Sequence, residues 1–166
     1  MKLLATDKPQ ILTLVLQQLT HELRNCIEAA NNAHLAAVDE QSVAETQYDT
    51  LAIESAYLAE GQSRRLVELK KTIAQLKSFT FQPVDIEQPI KLGGLIQFED
   101  SPPNQWLLMS PTAGGYKVMI GDNLVTLVTP QSPLGKAILN KYLDDDVQYQ
   151  AGNKYINKII VNVVIV

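Results

Sequence analysis

The chain has 166 residues, 46% hydrophobic and 19% charged, enough for one ordinary domain or two small ones. Its 14 basic and 18 acidic residues give a net charge of −4, divided evenly at Ser78, so neither half binds nucleic acid by bulk charge. A single cysteine excludes an internal disulfide, and with no C-x-x-C pair or Cys/His cluster the composition offers no zinc site.

Met1–Leu4 opens like a signal peptide, but Asp7, Lys8 and Pro9 interrupt before any useful apolar stretch. Ile11–Leu16 is too short to span a bilayer. The expectation is a soluble, reduced, cytoplasmic protein without a membrane partner.

A helix is predicted from this point. Asp7 is its cap, Pro9 suits the first turn, and Gln10 stands three after Asp7 as in a capping box. Leu12, Leu16, Leu19, Leu23, Cys26, Ala30, Ala33 and Ala37 alternate in spacings of four and three, the apolar seam of a coiled coil. Cys26 reads as a small core residue of that seam. A polar turn follows near Ser42, where Ser42 and Glu45 form an S-x-x-E box that starts a second helix at Val43. The seam resumes at Tyr48, Ala52, Ser55, Ala59, Gln62, Leu66, Leu69, Ile73 and Leu76. Folded back, Leu19 meets Leu66, Cys26 meets Ala59, Ala33 meets Ala52 and Ala37 meets Tyr48 in constant register, with no stutter. The seam is leucine-rich at the base and alanine-rich near the turn, so the expected antiparallel hairpin is a finger of about 45 Å, slender at its end. Its seam is satisfied within one chain, which makes the expected state a monomer.

After Ser78 the pattern changes. Glycine, proline and β-branched residues set strands at Lys91–Phe98, Gln105–Ser110, Lys117–Ile120, Leu124–Thr129, Asp146–Gln150 and Lys154–Val166. One short helix is predicted over Pro133–Lys141, capped by Ser132. The run Ile159–Val166 is too apolar for an exposed edge and reads as a covered strand. The fold class is therefore α+β: a helical hairpin over 1–78, then a small, mostly antiparallel β domain with one helix over 79–166.

Two segments carry a resemblance. Ser132-Pro133-Leu134-Gly135-Lys136-Ala137-Ile138-Leu139, followed by Asp144-Asp145-Asp146-Val147, is similar to the C-terminal signature of the Gre (GreA/GreB) transcript-cleavage factors of bacterial RNA polymerase. Glu45–Asp49 and Ser55–Gln62 resemble that family's run after the hairpin tip, and the layout of finger and FKBP-like β domain is the family's own. The resemblance covers nearly the whole chain. It implies an accessory factor without an independent active site. Its β domain docks on polymerase through Ser132, Pro133, Leu134, Gly135, Lys136, Asp144 and Asp145, and its finger enters the secondary channel. The tip acids Asp39, Glu40 and Glu45 would then serve the catalytic Mg²⁺, with Asp39 and Glu40 as ligands of an ion shared only in the complex. The chain has no cofactor of its own, since Mg²⁺ takes one or two added carboxylates from such a donor. Arg24, Arg64 and Arg65 lie close together along the finger and offer a basic patch to the 3′ end of the nascent RNA, beside the plainer reading of a solvated helical face.

The tip departs from the family. Gre factors carry an Asp and two Glu in the spacing D-x-x-E-N-A-E-Y; anchored on Tyr48, those positions hold Gln41, Ala44 and Gln47. Cleavage of backtracked RNA and channel occupancy without cleavage both stand as readings. A third is an FKBP-like binding module with a coiled-coil oligomerisation arm. The nucleoside diphosphate kinase regulators share the layout with a shorter finger.

Overall fold

The computed structural model describes residues 3–40, 48–82 and 88–164, with side chains outside 33–40, 48–60 and 62. The predicted turn at Ser42, the Ser42–Glu45 box and the helix start at Val43 lie outside the described residues. So do the side-chain pairings of Ala33, Ala37, Ala52 and Ala59.

The chain divides into two compact units, Met1–Leu16 with Gln75–Val166, and Gln17–Ala74. Asp7 does not cap the first helix in the predicted way. Its carboxylate accepts the Leu4 N–H at 2.8 Å, and its own N–H donates to the Leu4 carbonyl, closing a single 3₁₀ turn over Ala5–Asp7. Helix α1 (Lys8–Glu40) starts one residue later, with Pro9 in its first turn, where the missing N–H costs nothing. Helix α2 runs from Tyr48 to Ser78, and the Ser78 hydroxyl donates to the Gln75 carbonyl at its end.

In the Gln17–Ala74 unit, burial follows the four-and-three spacing. Leu19 and Leu69 are buried, and Leu23, Cys26, Ala30 and Leu66 are half-buried, while Arg24, Asn25, Glu28, Arg64, Val67 and Glu68 are exposed. The Arg65 guanidinium bonds to the Glu22 carboxylate at 3.2 Å, joining one helix to the other.

The other unit is built on six strands: β1 (Leu95–Phe98), β2 (Gln105–Met109), β3 (Lys117–Ile120), β4 (Asn123–Val128), β5 (Asp146–Ala151) and β6 (Lys154–Val164). Their order is β3-β4-β2-β1-β6-β5. Each neighbouring pair is antiparallel except β2 and β4, which run parallel from Gln105↔Leu124 to Met109↔Val128. The sheet is thus mixed. About a dozen residues separate β2 from β4, the length a parallel connection needs, and β3 lies within that crossover at the edge. The β3–β4 hairpin turns on Gly121-Asp122 and the β5–β6 hairpin on Gly152-Asn153, with φ of 56° and 60° at the two glycines, as tight two-residue turns require.

β1 and α3 are shorter than read, for local reasons, and β2 ends one residue early at Met109. β1 begins at Leu95 because Gly93 has φ 88° and the Gly94 N–H closes a turn onto the Lys91 carbonyl. A Cβ at Gly93 would stand 2.8 Å from the Phe81 ring. Helix α3 (Pro133–Ile138) stops three residues early because the chain turns out to pair with Ile90: Asn140 donates to the Ile90 carbonyl and Ile90 to that of Lys141.

One face of the sheet forms the core under α3. Ile96, Phe98, Met109, Val128, Val147 and Ile160 pack with Ile90 and Ile138, bordered by Leu107, Leu134, Ala137, Tyr149 and Val163. The alternation in β6 shifts at Val161, where the register passes from Phe98↔Ile160 to Gln97↔Asn162. That bulge puts Ile160 and Val163 on the same face, although they are three apart. Asn162 goes to the other face and donates to the Gln97 side chain at 2.8 Å. β6 lies between β1 and β5 in the sheet; Ile160 is buried and Val161–Val164 are half-buried. Leu95, Trp106, Leu108, Val125 and Leu127 fill the opposite face, also buried.

Candidate functional site

A concave feature lies on the α3 side of the sheet. Ser132 caps α3 as predicted: its hydroxyl oxygen accepts the Gly135 N–H at 3.0 Å while the hydroxyl donates to the Thr129 carbonyl at 2.8 Å. One side chain thereby ties the helix start to the end of β4. Gly135 is required by contact, since a Cβ there would fall on the Thr129 carbonyl. Pro133 and Lys136 are exposed, whereas Leu134 turns inward.

Leu134 lines a pocket of about 220 Å³. Ile96, Phe98 and Leu107 contribute apolar wall from β1 and β2, Tyr149 from β5, and Thr126, Gln105 and Ser101 add polar groups. Lys158 closes one side: its ammonium lies 5.5 Å from the Phe98 ring centroid and bonds to both Asp100 oxygens at 2.7 and 2.8 Å. The hydrogen bonds from Lys158 hold the Asp100 carboxyl below the usual carboxylate range. With the Lys158 charge answered by Asp100, the pocket presents an apolar floor and a neutral polar rim, suited to a side chain of a partner protein rather than to an anion.

Sequence reasoning assigned Leu134 to polymerase docking and did not single out Phe98, Tyr149 or Lys158, which line the pocket with it. A lysine facing the apolar row of β6 was the available signal, and its meaning depended on the cross-strand partner. Of the acids assigned to docking, Asp145 has a structural task, accepting the Tyr142 N–H at 2.8 Å. Asp144 is exposed, with φ 67°, in the turn entering β5.

The finger residues fall into two groups. Asp39 and Glu40 occupy the last turn of α1, while Glu45 and the positions Gln41, Ala44 and Gln47 lie outside the described residues. Among the described residues no group of three His, Cys, Asp or Glu is arranged to hold a metal ion. Arg24, Arg64 and Arg65 are all exposed. Arg65 is engaged by Glu22 at 3.2 Å and by Glu68 at 3.8 Å, so this part of the surface is of mixed charge.

Elsewhere, Lys8 is buried at 1% exposure, with its ammonium 5.7 Å from the Phe81 ring centroid, and burial lowers its pKa to about 8. Among the described residues, no helix is long and apolar enough to cross a membrane.

No family model matches the chain, and no curated protein matches it. Among solved structures, the transcription factor Gfh1 is similar over 89% of this chain and 92% of its own, at 15% identity and a TM-score of 0.36. GreA factor homolog 1 of Thermus thermophilus is similar over 89% of this chain and 93% of its own, at 17% identity and a TM-score of 0.33. The transcription elongation factor GreA/GreB from Nitrosomonas europaea is 17% identical over 68% of this chain and 93% of its own, with a TM-score of 0.32.

Proposed function

We propose that this chain is a Gre-type factor of bacterial RNA polymerase, which docks through its sheet unit and probes the secondary channel with an α1–α2 hairpin. The observation that carries the reading is the Glu22–Arg65 bond. From it, Glu22–Glu40 and Tyr48–Arg65 extend nearly equal lengths of helix, about 26 Å at 1.5 Å per residue. On this reading the two arms, linked by residues 41–47, form a finger with Asp39 and Glu40 near its far end. The Ser132-capped helix with Leu134 beside the pocket supports the docking role of the sheet unit, as the Gre-like signature in that segment implies.

At the tip, Asp39 and Glu40 stand where the last carbonyls of α1 carry the negative end of the helix dipole, and no base shares that turn. Carboxylates add to that potential, which repels anions and favours a divalent cation. Two carboxylates suffice to complete a Mg²⁺ already held by another enzyme, where a second metal activates water for phosphodiester hydrolysis. Cleavage of backtracked RNA is therefore the first reading. The neutral residues Gln41, Ala44 and Gln47 favour a second: occupancy of the channel without cleavage.

A stalled, backtracked elongation complex separates the two. The cleavage reading expects the wild type to shorten the RNA, and Asp39→Asn with Glu40→Gln to abolish shortening while polymerase binding is kept. Binding without shortening at any Mg²⁺ concentration assigns the channel-occupying role. Absence of polymerase binding by the full chain overturns both.

A further inference from the structure

The β5–β6 hairpin has a second face, directed away from the pocket. Cross-strand partners project to the same side, so Asp146↔Ile159, Gln148↔Asn157 and Gln150↔Tyr155 form one face, and all six residues are exposed. Val147, Tyr149 and Lys158 alternate onto the α3 side. The face carries Tyr155, 86% exposed, at one end and Ile159, 38% exposed, at the other; Tyr142 at 47% and Leu143 at 37% are exposed in the turn whose Asp144 and Asp145 backbones bond to that of Ile160.

Acids surround the lower end. Asp146 is the cross-strand partner of Ile159, the Glu99 N–H donates to the Ile159 carbonyl at 3.0 Å, and the Asp144 N–H donates to that of Ile160 at 2.8 Å. These backbone bonds place three exposed acidic residues next to Ile159. The six-residue face has no lysine or arginine, and the adjacent Lys158 projects to the other side, where Asp100 holds it. Among the described residues no cation pairs with these carboxylates, so exposed apolar side chains flanked by acids suit a partner that is both apolar and basic.

We propose that this face docks a basic amphipathic segment of a partner protein, with an aliphatic or aromatic side chain on Tyr142, Leu143 and Ile159 and flanking lysines or arginines against Glu99, Asp144 and Asp146. The apolar contact gives the complex its lifetime, and the carboxylates give orientation and rapid, salt-sensitive encounter. The inference goes beyond the polymerase reading: it shares Asp144 with the docking segment, but it concerns the opposite face of the hairpin from Leu134 and the pocket, and the peptide test needs no polymerase.

The test uses the full chain, isotope-labelled for NMR, and three synthetic peptides of equal length: an amphipathic lysine/leucine peptide, its glutamate/leucine counterpart, and a lysine/serine peptide. The lysine/leucine peptide is expected to bind at least tenfold more tightly than either control, with resonance changes centred on residues 99, 142–146 and 159. Ile159→Ser should weaken it about tenfold, and Asp144→Asn with Asp146→Asn should lower both affinity and salt dependence, each with an unchanged circular dichroism spectrum. Equal binding of the lysine/serine peptide would reduce the surface to bulk charge and overturn the proposal. So would resonance changes centred on α3 or the long helices, or self-association of the free protein that Ile159→Ser abolishes, since the occupant would then be a second copy.

Discussion

Lys8 shows how one side chain sets a pH dependence. Its pKa falls from 10.5 to about 8 because burial disfavours the ammonium, for which the Phe81 ring only partly compensates. The unfolded chain therefore holds more protons between pH 8 and 10.5, and stability rises across that window; the penalty is complete below pH 8. At 1.36 kcal/mol per pKa unit the penalty is about 3 kcal/mol. Lys8→Met should be more stable than wild type at pH 7, and the difference should shrink by pH 10.5; parallel denaturation curves at both pH values would refute this. Gly135→Ala tests the α3–β4 contact. With the Thr129 carbonyl in the way, the helix start must shift, at a cost of roughly 3 kcal/mol, measurable as a lowered denaturant midpoint. Neither effect was legible in the sequence, where Lys8 is one cation beside a proline and Gly135 one glycine in a helix.

The paired helices depend on packing more than on charge. Leu19 is fully buried, so Leu19→Ala should destabilise the protein by about 2–5 kcal/mol in urea unfolding. Glu22→Gln removes an exposed ion pair and should cost under about 1 kcal/mol, less still at high salt. An equal loss in the two variants would show that the ion pair, not the seam, holds the helices. The heptad positions Leu19, Leu23, Cys26, Leu66 and Leu69 were readable because burial of one helical stripe is a local, periodic property. The strands were readable for a similar reason, and β3 has the predicted bounds. The parallel β2–β4 pair was not, because side-chain alternation is the same in parallel and antiparallel strands. The Val161 bulge was hidden in an apolar run where every residue suits a core.

For the whole molecule, the sheet unit includes Leu3, Ile11, Leu12, Val15 and Leu76, all buried, along with the strands. Replacing Gln17–Ala74 by a short flexible linker should therefore leave a folded unit that still binds polymerase but has no effect on transcription. Deleting Met1–Lys77 removes those five side chains and should give a chain without a cooperative thermal transition. A cooperative transition in that deletion would show that the strands and α3 bury enough apolar surface alone. Polymerase binding lost with the linker in place, despite an intact fold, would move the docking surface onto the helices.

Sequence by itself determined the elements. Periodicity marked the long helices, Ser132 and Pro133 marked α3, and glycine, proline and β-branched residues marked the strands, because each depends on interactions within a few residues. It also determined the resemblance in Ser132–Val147 and the neutral positions at the tip. Only the tertiary structure decided which strands are neighbours, and so which residues share a surface. The pocket gathers Leu134, Tyr149 and Phe98 from three elements, and Lys158 has Asp100 as its partner across 58 residues. The acids around Ile159 come from a loop, a turn and a strand. Such groupings follow from strand order and register, which arise from burial of the whole sheet and leave no trace in any local spacing.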